Sequence, residues 1–429
     1  MKWTCLKRGP AGFALIITLV LLALLVLTVL ALSTTVRVGG QVSAIGTYQV
    51  QARQNALLGL NLGLSELQKL AGPELRITGT AGITGIPGGS GNGDKTTRYW
   101  CGVWQNDGVF LGWLTSGAGG TAVAPANSIE LIGAASVGAA NSTSANVEKQ
   151  HVVAGKIPIQ VIEVPATPNI PANVGNYAYL VTDEGAKISA YSPAAQLAIP
   201  HLTPLISDVM LANQLKLKTA LTANAASLPR VISYEQLAVV PNPTLTPSVL
   251  QDTFHYVTLT SRSVAGNQYL TGTININSAS TELWRCVLDT YNSVPGVTKM
   301  AAARVTSNGN AIGNGFAASA SGKNFGGPFL SVAAFAGSTL LSGNLTNTPA
   351  IPAITPAQFI GAIGNLLRVR SDTFRIRAYG DAFNPAAPTK VEAMAYCEAI
   401  AQRTTAPAAN GLGNKFVILY FRWLGPDDL

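Results

Sequence analysis

The chain has 429 residues, 48% of them apolar and only 11% charged, and carries a formal net charge of +8. That length and apolar content exclude a small disulfide-stapled scaffold and a disordered chain, and they fit one elaborate or two modest folded domains beyond any membrane segment. No Lys/Arg cluster follows residue 8, which excludes a nucleic-acid groove, so no nucleic acid is expected among the partners.

Phe13 to Leu32 is twenty residues without a charge, Pro or Gly. At about 1.5 Å per residue a helix of that length spans roughly 30 Å, the thickness of the hydrocarbon layer, and it closes its backbone hydrogen bonds internally as lipid requires. Lys2, Lys7 and Arg8 precede it and only Arg37 follows closely. The positive-inside bias therefore leaves the N-terminus in the cytoplasm and exports the rest. This predicts a single-pass envelope protein with lipid as one partner and its bulk outside the cytoplasm. A plain signal anchor explains the stretch, whereas a cleaved secretory signal ending at Ala31-Leu32-Ser33 has a shorter apolar run, about 7–15 residues. Lys7-Arg8-Gly9-Pro10-Ala11-Gly12-Phe13 resembles a type IV prepilin-type leader. That resemblance implies residues 1–12 as a leader cut by a prepilin-type peptidase between Gly12 and Phe13. The resemblance further implies a bacterial inner membrane, with the mature helix, Phe13, Ile17, Leu21, Leu25 and Leu32 along it, as membrane anchor and filament core and the bulk of the chain in the periplasm or in an envelope filament.

Helical spacing resumes after Gly39-Gly40, a candidate kink. Ile45, Ala52, Ala56, Leu60, Leu64 and Leu67 recur on one face, and Gly72-Pro73 stops the pattern. Residues 13–33 thus read as a transmembrane helix and 34–72 as an amphipathic stalk. Asn106-Asp107-Gly108 between Arg98–Gln105 and Val109–Thr115 is a hairpin signal. Trp100, Trp104 and Trp113 crowd this hairpin; they suit a ligand platform for a sugar, and more simply a core cap. Ser116 to Val147 and Val164 to Val174 read as long surface loops, while Ile157–Ile162 and Tyr177–Val181 alternate as strands. The Asp183-Glu184 turn offers calcium-type oxygens, but no D-x-D-x-D-G series follows, so a solvated turn is expected and no cofactor is assigned. Helical runs fall near Leu205–Ala225. A capped helix is expected over Thr281–Tyr291, with Ser280 as N-cap and residues 284, 287, 288 and 291 on one face.

Residues 73–270 therefore read as an exported β-rich region, 271–367 as a helical insert, and 368–429 as antiparallel strands. In the last region Arg375 and Arg377 lie opposite Phe374 and Ile376, placed to pair with Glu392 or Glu398. As exposed pairs these would contribute about 0.2–1 kcal/mol each.

Several separated motifs agree with one family. The leader and apolar helix, Ala52 to Leu60 (AR-x-NA-x₃-G-L), the DEGAKI turn, GTININSAS before a helix, and RSDTFRIRAYG at Arg370–Gly380 with a late strand reaching Gln402-Arg403 resemble large pilin-like proteins. The likeness is to the verrucomicrobial pseudopilin cassette proteins of the A type. More distantly the chain is similar to the large minor pseudopilin of type II secretion and to PilX-type minor pilins. The resemblance implies an α+β fold: a long N-terminal transmembrane and stalk helix, a pilin-like antiparallel sheet with a helical insert, and other pilin-like subunits as partners. Ordinary pilins carry Glu at the fifth mature position, whereas here it is Ile17. A minor or tip subunit of a type IV pilus-like or type II secretion-like pseudopilus is the implied function; the alternative is an unassembled envelope protein binding polysaccharide or protein through the Trp hairpin.

No HExxH, GxSxG or Walker A motif occurs, and Gly313-Asn-Gly315-Phe-Ala-Ala318 is a partial GxGxxA in what reads as an Asn/Gly-rich loop. His151, His201 and His255 are scattered, so no enzyme is expected and no catalytic or metal residue is assigned.

Overall fold

A computed structural model describes residues 11–83, 97, 99–118, 127–132, 152–161, 172–189, 257–258, 274–317, 328–384 and 387–425. The leader residues 1–10, the helical runs expected at 205–225 and all three histidines lie outside them. Helix α1 (Ala11–Ala71) is a single helix of 61 residues, roughly 90 Å long at 1.5 Å per residue. It runs through Gly39 and Gly40 without a break; their missing side chains leave open space rather than a packing fault, so the candidate kink does not form.

The strands in chain order are β1 (Arg76–Thr80), β2 (Cys101–Gln105), β3 (Phe110–Trp113), β4 (Ser128–Ile132), β5 (Val152–Gly155), β6 (Ile157–Val161), β7 (Ala172–Asp183), β8 (Ile188–Ser189), β9 (Val257–Thr258), β10 (Ile274–Asn275), β11 (Leu367–Arg368), β12 (Thr373–Asn384), β13 (Ala387–Pro407) and β14 (Asn414–Leu424). The central sheet is antiparallel, in the order β14-β13-β12-β7-β6. The Asn106-Asp107-Gly108 hairpin forms between β2 and β3, with Gly108 at φ 89° as such a turn requires. Two stretches expected as loops contain strands: β4 interrupts 116–147, and β7 begins at Ala172 inside the Pro-rich segment. Pairing with β5 and with β6 and β12 overrides the low β-propensity of their neighbours.

Between β10 and β11, which pair in parallel, come helices α2 (Thr281–Ser293), α3 (Ala302–Ala317), α4 (Val332–Ala336), α5 (Thr339–Ser342) and α6 (Pro356–Ile363). Ser280 caps α2 by accepting the Leu283 amide, and Trp284, Val287, Leu288 and Tyr291 are all buried. The partial GxGxxA glycines sit mainly on α3 rather than in a loop. Gly313 backs onto Thr281 and Gly315 onto Leu340, so they permit close helix packing and form no phosphate cradle.

The fold is α+β, and the sheet separates two cores. One face carries Phe374, Ile376, Ala378, Cys397, Ala399 and Ala401 against Ala56, Leu60 and Leu67 of α1. The other contributes Leu180, Tyr379 and Tyr396 to a larger core shared with β4, β5, the Trp hairpin and the insert. At the first face α1 comes closest over Gly380, where a Cβ would lie 2.2 Å from the Ala56 amide nitrogen and 2.3 Å from the Ala52 carbonyl oxygen.

Candidate assembly and membrane interface

The two halves of α1 have opposite environments. Leu15–Leu32 is bare on every side, Ile17, Leu21, Leu25 and Leu32 included, and its most apolar 18-residue window has a mean hydropathy of 3.2 with none of it buried. By length and composition this one helix suffices to cross a membrane. The hydroxyls of Thr18 and Thr28 donate to the carbonyls of Leu15 and Leu25, so neither is left unsatisfied in an apolar medium. Gly12 and Phe13, the expected cleavage site, lie in the first turn of the same helix. From Ala52 onward the helix becomes part of the fold: Asn55 donates to the Asp381 carbonyl, and Gln68 donates to the carbonyls of Leu412 and Asn414 while accepting the Phe416 amide. At its end, Arg403 donates to the Gly72 carbonyl and pairs with Glu74 at 3.0 Å. A cation on the last carbonyls opposes the negative end of the helix dipole.

The three tryptophans do not form a surface. Trp100, Trp104 and Trp113 are at most 6% exposed, which overturns the ligand platform. Gly102 makes room for the rings of Trp104 and Trp113, which pack edge-on at 6.3 Å, and the Trp100 indole donates to the Val153 carbonyl at 2.9 Å. Rings of this area gain more from the core than from water.

The expected solvated turn and exposed ion pairs are corrected too. Glu184 and Glu398 are fully buried. Glu398 faces Arg377 across β12–β13 and Arg422 across β13–β14, binding them at 2.8 and 3.1 Å, and Arg375 reaches it at 2.8 Å. Arg375 also holds Glu184 at 3.1 Å, and Lys187 holds the same carboxylate at 2.8 Å. Arg377 donates in addition to the Leu131 carbonyl, so β4 lies over this face and shields it from water. Glu392 pairs instead with Lys390 at the surface. Asp183 accepts the amides of Gly185 and Ala186 and the side chain of Asn275, so its oxygens are engaged by protein donors. Among the described residues no group of three or more His, Cys, Asp or Glu is placed to hold a metal ion, and Cys101, Cys286 and Cys397 are buried and form no disulfide there.

Burial pushes the Glu184 pKa up, but Arg375 and Lys187 outweigh it and hold the carboxyl at about 2. Glu398 is held below the ordinary range as well, burial being outweighed by Arg375, Arg377 and Arg422. A carboxylate whose folded pKa is depressed contributes stability that is complete above its unfolded pKa and is lost as pH falls toward the folded one. The urea midpoint of the detergent-solubilised protein should thus fall as pH is lowered from about 4.5 toward 2, and Glu184→Gln should flatten that slope. Burial raises the pKa of Asp183 and of Asp372, which act in the opposite sense but only above their ordinary value of 3.8, so a midpoint that failed to fall between pH 3.8 and 2 would show that the buried ion pairs do not govern the acid response.

No protein-family model matches the chain, and no curated protein matches it. Among solved structures, the GspK-GspI-GspJ complex of the type 2 secretion system from enterotoxigenic Escherichia coli is similar at 14% identity and a TM-score of 0.33. The alignment covers 69% of this chain and 92% of that one.

Proposed function

We propose that this protein is a membrane-anchored pilin-like subunit, a minor or tip component of a type IV pilus-like or type II secretion-like pseudopilus. The observation that carries the proposal is the division of α1: one unbroken helix is bare and apolar over Leu15–Leu32 yet built into the sheet core from Ala52 to Ala71. An ordinary signal anchor needs no rigid continuity with the domain it tethers, whereas a subunit that passes force or position from a membrane to its head does. Prepilin-type peptidase cuts between Gly12 and Phe13, lipid holds the mature helix, and the head stands on the periplasmic side. Ile17 replaces the carboxylate that would pair with a neighbour's amino terminus; burying such a charge without that partner would be costly, so its absence suits a subunit at the tip. The protein acts by packing and not by catalysis.

Mass spectrometry of the N-terminus of protein extracted from native membranes tests this. The expected chain begins at Phe13 and carries an N-methyl group. A chain beginning at Met1 would leave a plain anchored protein, and one beginning at Thr34 would mean that the helix had been removed.

A further inference from the structure

Five strands about 4.8 Å apart give the central sheet a width of roughly 19 Å, about twice the diameter of one helix. α1 lies over β12 and leaves part of β14 uncovered. It meets that edge strand at two points: Arg53 sits over the Trp423 ring at 5.4 Å, and Gln68 accepts the Phe416 amide. Between these points the strip flanked by α1 and β14 is left partly exposed, and it forms a shallow groove in that sense alone. Ile418, Phe421 and Trp423 pair with Ala401, Ala399 and Cys397, so they lie on the α1 side of the sheet, yet each is between 38% and 40% exposed. The facing wall is Leu57, itself 36% exposed. A cluster of aromatic and aliphatic groups left open in this way marks an interaction site.

The wall has a period. Val50, Leu57 and Leu64 recur every seven residues along α1, the spacing at which a second helix lies alongside the first, with Val50 and Leu57 exposed and Leu64 partly packed against the core. The charged group of the groove is Arg53. This chain's own stalk helix is a poor match for it, because residues 34–71 carry Arg37, Arg53 and Lys69 against Glu66 alone.

We infer that the groove between α1 and β14 receives an amphipathic helix of a different pilin-like subunit, with a carboxylate meeting Arg53. This rests on the proposal that the chain is an assembling subunit, and it adds which surface assembles and with what. The docked helix completes a two-helix layer over the sheet, with Leu57, Ile418 and Phe421 as apolar contacts and Arg53 setting the choice of partner.

The test is site-specific photocrosslinking of the full-length protein in native membranes, with the photoreactive residue at Ile418 or Phe421 and, for comparison, at Val42 on the bare part of α1. The products are identified by peptide mapping. The expected result is crosslinks from Ile418 and Phe421 to a carboxylate-bearing helix of another subunit. Arg53→Glu should lower their yield tenfold or more and Arg53→Lys should retain it, and both variants should still unfold in a single cooperative urea transition, with Arg53→Glu lowered slightly by loss of the contact with Trp423. Crosslinks from Val42 without any from Ile418 or Phe421 would overturn the groove and leave assembly standing. No crosslink to protein from any of the three would sink both ideas. Capture of lipid, of an extended strand or of a second copy at Phe421 would overturn this inference.

Discussion

Replacing Glu398 with Gln should destabilise the protein by about 3–5 kcal/mol, the cost of breaking a buried ion pair by removing one partner. The carboxylate is the centre of the arrangement: it binds Arg375, Arg377 and Arg422 from two neighbouring strands. An amide keeps the shape and one acceptor oxygen but takes from Arg377 and Arg422 the charge that compensates their burial, and leaves Arg375 with the Glu184 carboxylate alone. Arg375 and Arg377 are almost wholly buried, so water cannot take over that role. Glu392→Gln is the matched control, since Glu392 pairs with a Lys390 that is 69% exposed, and its removal should cost less than about 1 kcal/mol. Urea unfolding of the detergent-solubilised full chain measures both. Equal losses for the two variants would mean that the network is far better hydrated than its geometry indicates.

The same residues mark how far the sequence could be read. Alternation along Thr373–Gly380 placed Arg375 and Arg377 on one face, and that is where they are. It carried no information on whether the face was covered. The cover comes from Leu131 on β4, 246 residues away from Arg377, and β4 lies in a stretch whose Ala, Gly, Ser and Asn content suggested a loop. The pairing of Glu184 with Arg375 bridges 191 residues and is likewise invisible to local pattern. Signals that act within a few residues fared better: the uncharged run of α1, the Asn-Asp-Gly turn and the Ser280 cap all depend on neighbours alone. The tryptophans fall between these cases. Their density was plain in the sequence, but their burial depends on the space at Gly102 and on β5 supplying the Val153 carbonyl. An aromatic cluster on a hairpin reports its location only when the opposing layer is known.

Gly380→Val should separate α1 from the head. A side chain at this position has no rotamer that avoids the helix, because the Cβ itself would collide with backbone atoms of Ala52 and Ala56 rather than with a flexible side-chain end. Overpacking of a core commonly costs about 1–3 kcal/mol, and a clash with helix backbone belongs at or above the top of that range. The second core, on the other face of the sheet, draws none of its buried residues from α1, so the insert and Trp hairpin should stay folded while the helix lifts away. Limited proteolysis distinguishes this from general unfolding: new cleavage within 52–71 is expected, with α2, α3 and α6 of the insert still protected. Gly361→Ala serves as a contrasting substitution, because its added Cβ meets nothing within 4 Å and helix propensity alone should gain about 0.5–1 kcal/mol. If Gly380→Val retained wild-type protection across 52–71, the seating of the helix on β12 would not be what joins head to membrane. The division of α1 into a bare half and a packed half would then lose its mechanical meaning.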